Sequence, residues 1–137
     1  MVLDSNVLVA ALRSRLGASF RVVELARHKA FEIAVSVPLA LEYEAVLLRH
    51  ADELGLGRDD ALRVVDALCA IGHHQDIHFL WRPTLTDPGD EFVVELAIAA
   101  GCQAIVTHNL RDFEGAKRLG TDVMTPSRFL SMLKEDR

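Results

Sequence analysis

The chain has 137 residues, half of them hydrophobic, and a formal net charge of −5 at pH 7. This length predicts one compact domain over residues 1–137, and the negative charge argues against a protein that coats nucleic acid through a broad basic surface. No apolar run approaches the roughly 20 residues that span a bilayer, and the N-terminus lacks the features of a secretory signal. We therefore expect a soluble cytoplasmic protein that does not associate with membranes.

The first part of the chain predicts the order strand, helix, helix, strand. The residues MVLD predict a very short strand, and SNVLVAALRS after it predicts a helix with Ser5 or Asn6 as its N-cap. A second amphipathic helix is predicted from Phe20 to His28, and the alternating segment FEIAVS predicts a second strand from Phe31.

The central part predicts two helices and a strand. Ser36 and Pro38 begin a helix that extends to Gly55, and RDDALRVVDALCAIG predicts another that ends at Gly72. The segment DIHFLWR then has strand character, and PTLTDPGD is rich in turn residues. The intervening Cys69, like Cys102 further on, is expected to be a free thiol, because the two cysteines lie far apart and form no CxxC pair.

The last part returns to alternating elements. DEFVVELAIAAG predicts a helix, QAIVT a buried strand, HNLRDF a polar loop followed by a short helix, TDVMT a strand, and PSRFLSMLKED a terminal helix. Strands separated by helices imply right-handed crossovers between parallel strands. The whole pattern predicts a three-layer α/β/α sandwich around a mostly parallel sheet.

Asp4 is the most informative residue, because it ends a buried strand where an unpaired carboxylate would cost several kcal/mol. Ligands of open parallel sheets bind beyond the carboxyl ends of the strands, and other segments are predicted to bring acidic and amide side chains to that edge: Glu42, Asp87, Asp90, Asn109 and Asp112. Gathered carboxylates repel one another unless a cation holds them. Mg²⁺ and Mn²⁺ prefer such oxygens, and a nuclease-like metal site is therefore predicted.

Each of the other acids also has a simpler explanation when taken alone. Asp87 and Asp90 suit the N-cap and first turn of a helix, and Asp112 suits a cap of the next turn. Glu42 suits the solvated surface of a helix, and its neighbour Glu44 is an alternative candidate for the same role. The histidines of GHHQDIHF invite a zinc interpretation, but no second ligand pair accompanies them.

Four blocks carry a family resemblance: VLDSNVLVAAL, SVPLALEYEAVLLR, TDPGDEFVVELAIAAG and AIVTHNLRDF. In this order they resemble a PIN domain, most closely the VapC-like toxins of toxin-antitoxin pairs. The resemblance implies a ribonuclease that uses Mg²⁺ or Mn²⁺ to cut single-stranded RNA, a cognate antitoxin that silences it, and a homodimer formed by helices of the N-terminal half.

The resemblance also assigns roles to residues. It gives a catalytic role to Asp4, Glu42, Asp90 and Asp112 and metal binding to Asp4, Glu42, Asp90 and Asn109, with Asp87 as an additional acid. Glu42 stands at the expected spacing before Val46 and Leu47, whereas Glu44 does not. We expect Ser5 or Asn6 to orient Asp4, Thr107 to hold water or phosphate, and His108 to contact RNA phosphate.

The fourth block departs from the family pattern. Many relatives have Thr-x-Asp after the last core strand, where this chain has Thr107, His108 and Asn109. An amide offers a metal an oxygen but no charge, so a second metal should bind more weakly unless Asp112 compensates.

One alternative function keeps the same fold, and two others fit the sequence poorly. A PIN-fold domain with a decayed site at Asn109 would bind RNA or protein without cutting. A phosphoacceptor of the receiver type or a haloacid-dehalogenase-like phosphatase would need paired acids after the first strand, and the chain has Asp4, Ser5 and Asn6 there. We expect some of the scattered arginines to hold phosphates, and the sequence does not distinguish among six of the twelve: Arg13, Arg15, Arg49, Arg58, Arg111 and Arg118.

Overall fold

The computed structural model describes the backbone of residues 1–76 and 88–135 and the side chains of residues 1–76 and 92–134. Its strands are β1 (Val2–Leu3), β2 (Ala34–Val35), β3 (His73–His74), β4 (Ala104–Val106) and β5 (Asp122–Met124). Its helices are α1 (Ser5–Arg13), α2 (Ala18–Arg27), α3 (Val37–Arg49), α4 (Ala51–Leu54), α5 (Arg58–Ile71), α6 (Pro88–Ala99), α7 (Glu114–Lys117) and α8 (Pro126–Glu135). A 3₁₀ helix, Leu110–Phe113, precedes α7.

The sheet is parallel at every pairing that the structure describes. β4 lies between β1 and β5, and β2 pairs with β3. The amide of Ala34 donates to the carbonyl of Met1 at 2.8 Å and so joins the two groups of strands. The predicted α/β/α sandwich with a central parallel sheet is confirmed.

β1, β2 and β4 are short and fully buried, as expected for strands covered on both faces, which explains their continuous apolar sequence. Val2 and Leu3 of β1 and Ile105 and Val106 of β4 are fully buried. In the β1–β4 register Val2 faces Ile105 and Leu3 faces Val106. The next residue on each strand therefore emerges at the same edge of the sheet.

Two sequence expectations about helix ends are wrong. The N-cap of α1 is Asp4, not Ser5 or Asn6, because β1 enters the helix directly and leaves Asp4 with the extended backbone that a cap needs (φ −67°, ψ 151°). The helix predicted from Ser36 to Gly55 is interrupted at His50, whose backbone leaves the helical region (φ −100°, ψ 6°), so that α4 forms a separate turn.

The remaining elements follow the sequence with smaller changes. HNLRDF, predicted as a loop, contains the 3₁₀ helix. The predicted strand DIHFLWR lies almost wholly outside the described residues, and β3 forms just before it, at two histidines that the sequence did not assign to a strand. Cys69 and Cys102 are free and partly buried, as predicted. No helix in the described ranges has the length and apolar character needed to cross a membrane.

Candidate functional site

The carboxylate of Asp4 is buried and held by two hydrogen bonds. Only 7 % of the residue is exposed. The Thr107 hydroxyl donates to Asp4 Oδ2 at 2.8 Å, and the Ser5 amide donates to Oδ1 at 2.8 Å. The partner that a charge in this position requires therefore comes from the adjacent strand end, 103 residues further along the chain.

The pKa of the Asp4 carboxyl is raised above its usual value. Burial is the largest cause, and the hydrogen bonds from Thr107 and Ser5 oppose it. The negative charges of Glu42 and Asp112 raise the pKa further. These two acids come from α3 and from the 3₁₀ helix, so two other segments bring carboxylates within electrostatic reach of Asp4.

The hydroxyl of Thr107 is fully used inside the protein. It donates to Asp4 and accepts from the side-chain amide of Asn6 at 3.2 Å and from the backbone amide of Asn109 at 3.0 Å. Thr107 has no exposed surface. Its position fits a residue that orients Asp4 better than one that holds water or phosphate.

Asn6 and His108 tie the loop after β4 to the first two helices. The Asn6 side-chain oxygen accepts from the backbone amide of His108 at 3.3 Å. The ring of His108 is 2.7 Å from the hydroxyl of Ser19 on α2, measured from Nε2 to Oγ. Of the two residues expected to orient Asp4, Ser5 donates to it through its backbone amide. Asn6 does so indirectly, by donating to the Thr107 hydroxyl that holds Asp4.

The other predicted site residues occupy the same edge or lie beyond what is described. Glu42 and Asp112 are exposed, as is Asn109, whose carbonyl accepts from the Asp112 amide at 3.1 Å. Asp90 is the third residue of α6, and its side chain is outside the described set. Asp87 is also outside it.

Tyr43 supports the site from the buried core beneath Asp4. Its hydroxyl donates to the carbonyl of Leu3 at 2.5 Å, one residue before Asp4. The sequence analysis did not identify this residue. The available signal was its position directly after Glu42, because the next side chain on a helix points to a different side, here toward the core. Tyr43 fixes the end of β1 against α3.

A cavity of about 500 Å³ opens beside these residues, between α1 and α3. Asn6, Glu42 and His108 line one part of it, and the basic residues Arg13, Arg49 and His50 line another. The sequence named Arg13 and Arg49 among six candidate arginines but could not select them, and it did not indicate His50, because their approach depends on how α1 packs on α3. The available signal was helical spacing, since Arg49 and His50 lie two turns beyond Glu42.

The donor chemistry fits a hard divalent cation. Asp4, Glu42 and Asp112 offer carboxylate oxygens, and the repulsion of Asp4 by the other two is the kind that such a cation relieves. Among the described side chains, no three His, Cys, Asp or Glu residues form a ready metal-binding group.

The acidic residues lie at the carboxyl edge of a parallel sheet. Comparison with known families identifies the family to which a chain with this arrangement belongs. The model of the PIN domain family matches residues 1–111, which is most of the chain. The chain belongs to the PIN domain family. The resemblance inferred from the four sequence blocks is therefore confirmed at the family level.

The fold is also similar to that of a solved relative. A chain of VapBC2 from Rickettsia felis, in a crystal structure with a DNA fragment from their promoter, superposes with a TM-score of 0.62. The two chains are 16 % identical, and the alignment covers 90 % of this chain and 96 % of the other. At this identity the likeness concerns the fold. A search of curated proteins gives no significant match.

Proposed function

We propose that this PIN domain is a metal-dependent endoribonuclease that cleaves phosphodiester bonds of single-stranded RNA in the cytoplasm, as the toxin of a toxin-antitoxin pair. The observation that carries the proposal is the buried Asp4 carboxylate, oriented by Thr107 and Ser5 and within electrostatic reach of Glu42 and Asp112. A residue that served only as a helix cap would not need burial beside two further acids.

In this proposal Asp4, Glu42, Asp90 and Asn109 hold Mg²⁺ or Mn²⁺, and Asp112 supplies a further carboxylate. The ion, when bound, lowers the pKa of a coordinated water and neutralises charge on the phosphodiester. Thr107 and the Ser5 amide keep both Asp4 oxygens in a fixed orientation. Asn6 and the Asn109 amide in turn fix the Thr107 hydroxyl, so that its proton points to Asp4.

Cleavage of a labelled single-stranded RNA in the presence of Mn²⁺ tests the proposal. Asp4→Asn keeps the size and capping ability of the residue but removes its charge, and we expect it to lower the rate at least about 100-fold, since such sites work mainly by charge stabilisation. Glu42→Gln should also lose most activity.

Glu44→Gln is the matched control for Glu42→Gln. Glu44 lies on the same helix, two residues away, and is not a predicted ligand. Full cleavage by Asp4→Asn, or equal losses in the Glu42 and Glu44 variants, would contradict the proposal.

A second candidate is a PIN-fold regulatory domain that binds RNA or protein without cutting. Asn109 favours it, because an amide replaces a charged ligand. Calorimetry separates the two functions. Heat of Mn²⁺ binding that disappears in Asp4→Asn supports the nuclease, and no binding at millimolar Mn²⁺ supports the regulatory domain.

We also propose two protein partners, a cognate antitoxin and a second copy of this chain. The relative of known structure is a VapBC2 assembly, which supports the antitoxin. Val37 and Leu41, one turn apart on α3, are 73 % and 58 % exposed, which supports a homodimer through this helix. A mass of 15.1 kDa in sedimentation equilibrium at micromolar concentration would contradict the dimer.

A further inference from the structure

The cavity between α1 and α3 has charges of opposite sign at its two ends. Glu42 lies at the end near Asp4, and Arg13, Arg49 and His50 lie at the other. Val9, Ala10 and Val46 line the cavity between them. The polar side chains of this surface are thus concentrated at its ends.

The separation of the two ends follows from the helices themselves. Seven residues separate Asn6 from Arg13 on α1, and seven separate Glu42 from Arg49 on α3. At 1.5 Å per residue each spacing is about 10 Å along the helix axis. This is more than one phosphate group can bridge, so a group bound at the basic end is not the one held by the acids.

Arg13 and Arg49 differ in their partners. The guanidinium of Arg13 pairs with the carboxylate of Glu53 on α4, which also accepts a hydrogen bond from His50 at 3.2 Å. Arg49 makes no ion pair within the described ranges, and it is exposed. One guanidinium is therefore available and the other is held by an exposed carboxylate, a kind of pair that contributes little.

The geometry points to a second phosphate subsite, in which Arg13 and Arg49 bind a backbone phosphate of single-stranded RNA that flanks the phosphate to be cut. This inference rests on the proposed function and deepens it. Arginine suits the role because its planar fork matches two phosphate oxygens. Glu53 competes with that phosphate for the guanidinium of Arg13.

The test is binding of a fluorescein-labelled single-stranded RNA of ten nucleotides in EDTA, followed by anisotropy, so that no cleavage intervenes. Arg13→Gln and Arg49→Gln should each weaken binding about three- to tenfold, and the double variant should reduce the slope of log K against log salt by about 0.7, since the two arginines share one phosphate. Glu53→Gln should tighten binding, because it releases Arg13 and removes a negative charge.

Arg63→Gln is the matched control. Arg63 pairs with Asp60 on α5 at 3.6 Å and does not line the cavity. We expect its affinity and salt slope to equal those of the wild type, with unchanged circular dichroism in every variant.

Equal affinities of Arg13→Gln, Arg49→Gln and Arg63→Gln would overturn the subsite while leaving Mn²⁺-dependent cleavage intact. Tighter binding of a polyglutamate peptide than of RNA, dependent on Arg49, would overturn it in favour of a protein ligand. Loss of the proposed nuclease function would appear differently, as RNA binding that depends on Arg49 without any Asp4-dependent cleavage.

Discussion

At the scale of single residues, Asp4 combines three structural roles. It continues the β1–β4 ladder by donating its amide to Val106 at 2.9 Å, it caps α1, and it presents a buried carboxylate. Burial opposes the charged form, and hydrogen bonds from Thr107 and Ser5 favour it. The charged form of Asp4 is thus stabilised by a donor at the end of β4 and by the amide of the next residue.

Thr107→Val tests that dependence in the metal-free protein. The variant leaves Asp4 Oδ2 buried without its donor, which should cost about 1–3 kcal/mol of unfolding free energy at pH 7. Removing a hydrogen bond that lowers the pKa raises the Asp4 pKa further above its ordinary value of 3.8. The folded variant then binds a proton more readily, so its deficit should shrink as the pH falls from 7 toward 3.8.

Urea unfolding in EDTA at several pH values measures this deficit. Thr107→Ser keeps the donor and should retain most of the stability lost in the valine variant. A deficit that is the same at every pH would mean that Thr107 acts through packing or through its bonds with Asn6 and Asn109, and not on the charge of Asp4.

Tyr43 gives a second residue-level prediction, because it is the chain's single tyrosine. Burial, and then the charges of Asp4 and Cys69, raise its pKa far above the ordinary value of 10.0. The neutral form is favoured in the folded state, so its contribution to stability is present below pH 10.0 and lost as the pH rises above it.

Absorbance at 295 nm should therefore show no tyrosinate near pH 10 in the native protein. The signal should rise together with loss of helical circular dichroism at higher pH. A reversible tyrosinate transition near pH 10 with the fold intact would show that the Tyr43 hydroxyl is not held by Leu3.

At the scale of elements, two junctions determine the shape of the cavity. β1 passes into α1 without a loop, which places Asn6 two turns before Arg13 on the same side of the helix. The interruption of α3 at His50 allows α4 to turn, so that Glu53 reaches Arg13. A continuous helix from Ser36 would carry Glu53 along the axis of α3.

Gly55 ends α4 in the left-handed region, with φ 68°. Nothing lies within 4 Å of the position that a Cβ would take, so the backbone conformation alone opposes a side chain. Gly55→Ala should destabilise the protein by about 1 kcal/mol. Gly55→Asn should cost less, because asparagine tolerates this region, and urea unfolding of the two variants checks the order.

At the scale of the whole molecule, the parallel sheet organises both the core and the site. β4 lies between β1 and β5, and the C-terminal ends of β1 and β4 lie side by side. The same strands that bury Leu3 and Val106 therefore deliver Asp4 and Thr107 to one edge. Changes in the centre of the sheet should affect the entire domain.

Ile105→Ala removes buried apolar atoms from β4 and should lower the unfolding free energy by about 2–4 kcal/mol, by lost transfer energy and a residual cavity. Leu16→Ala, at an exposed site between α1 and α2, should change it by less than about 0.5 kcal/mol. If residues 1–137 form one domain, both variants unfold in a single transition. Separate transitions by circular dichroism and absorbance would contradict that prediction.

The order of strands and helices, the parallel sheet and the acidic edge could be predicted from the sequence, because they follow from local periodicity and from one geometric rule about parallel strands. Asp4 could be recognised because its charge conflicts with the apolar run around it. The family resemblance rested on blocks of contiguous residues, which are also local.

Only the tertiary structure decided which donor satisfies Asp4, where α3 ends, and that Arg13, Arg49 and His50 share a cavity with Glu42. These features join residues that lie far apart in the chain, and they depend on how α1 and α3 pack against each other. A local pattern contains the spacing of side chains along one helix, but the distance between two helices is determined by the packing of the whole core.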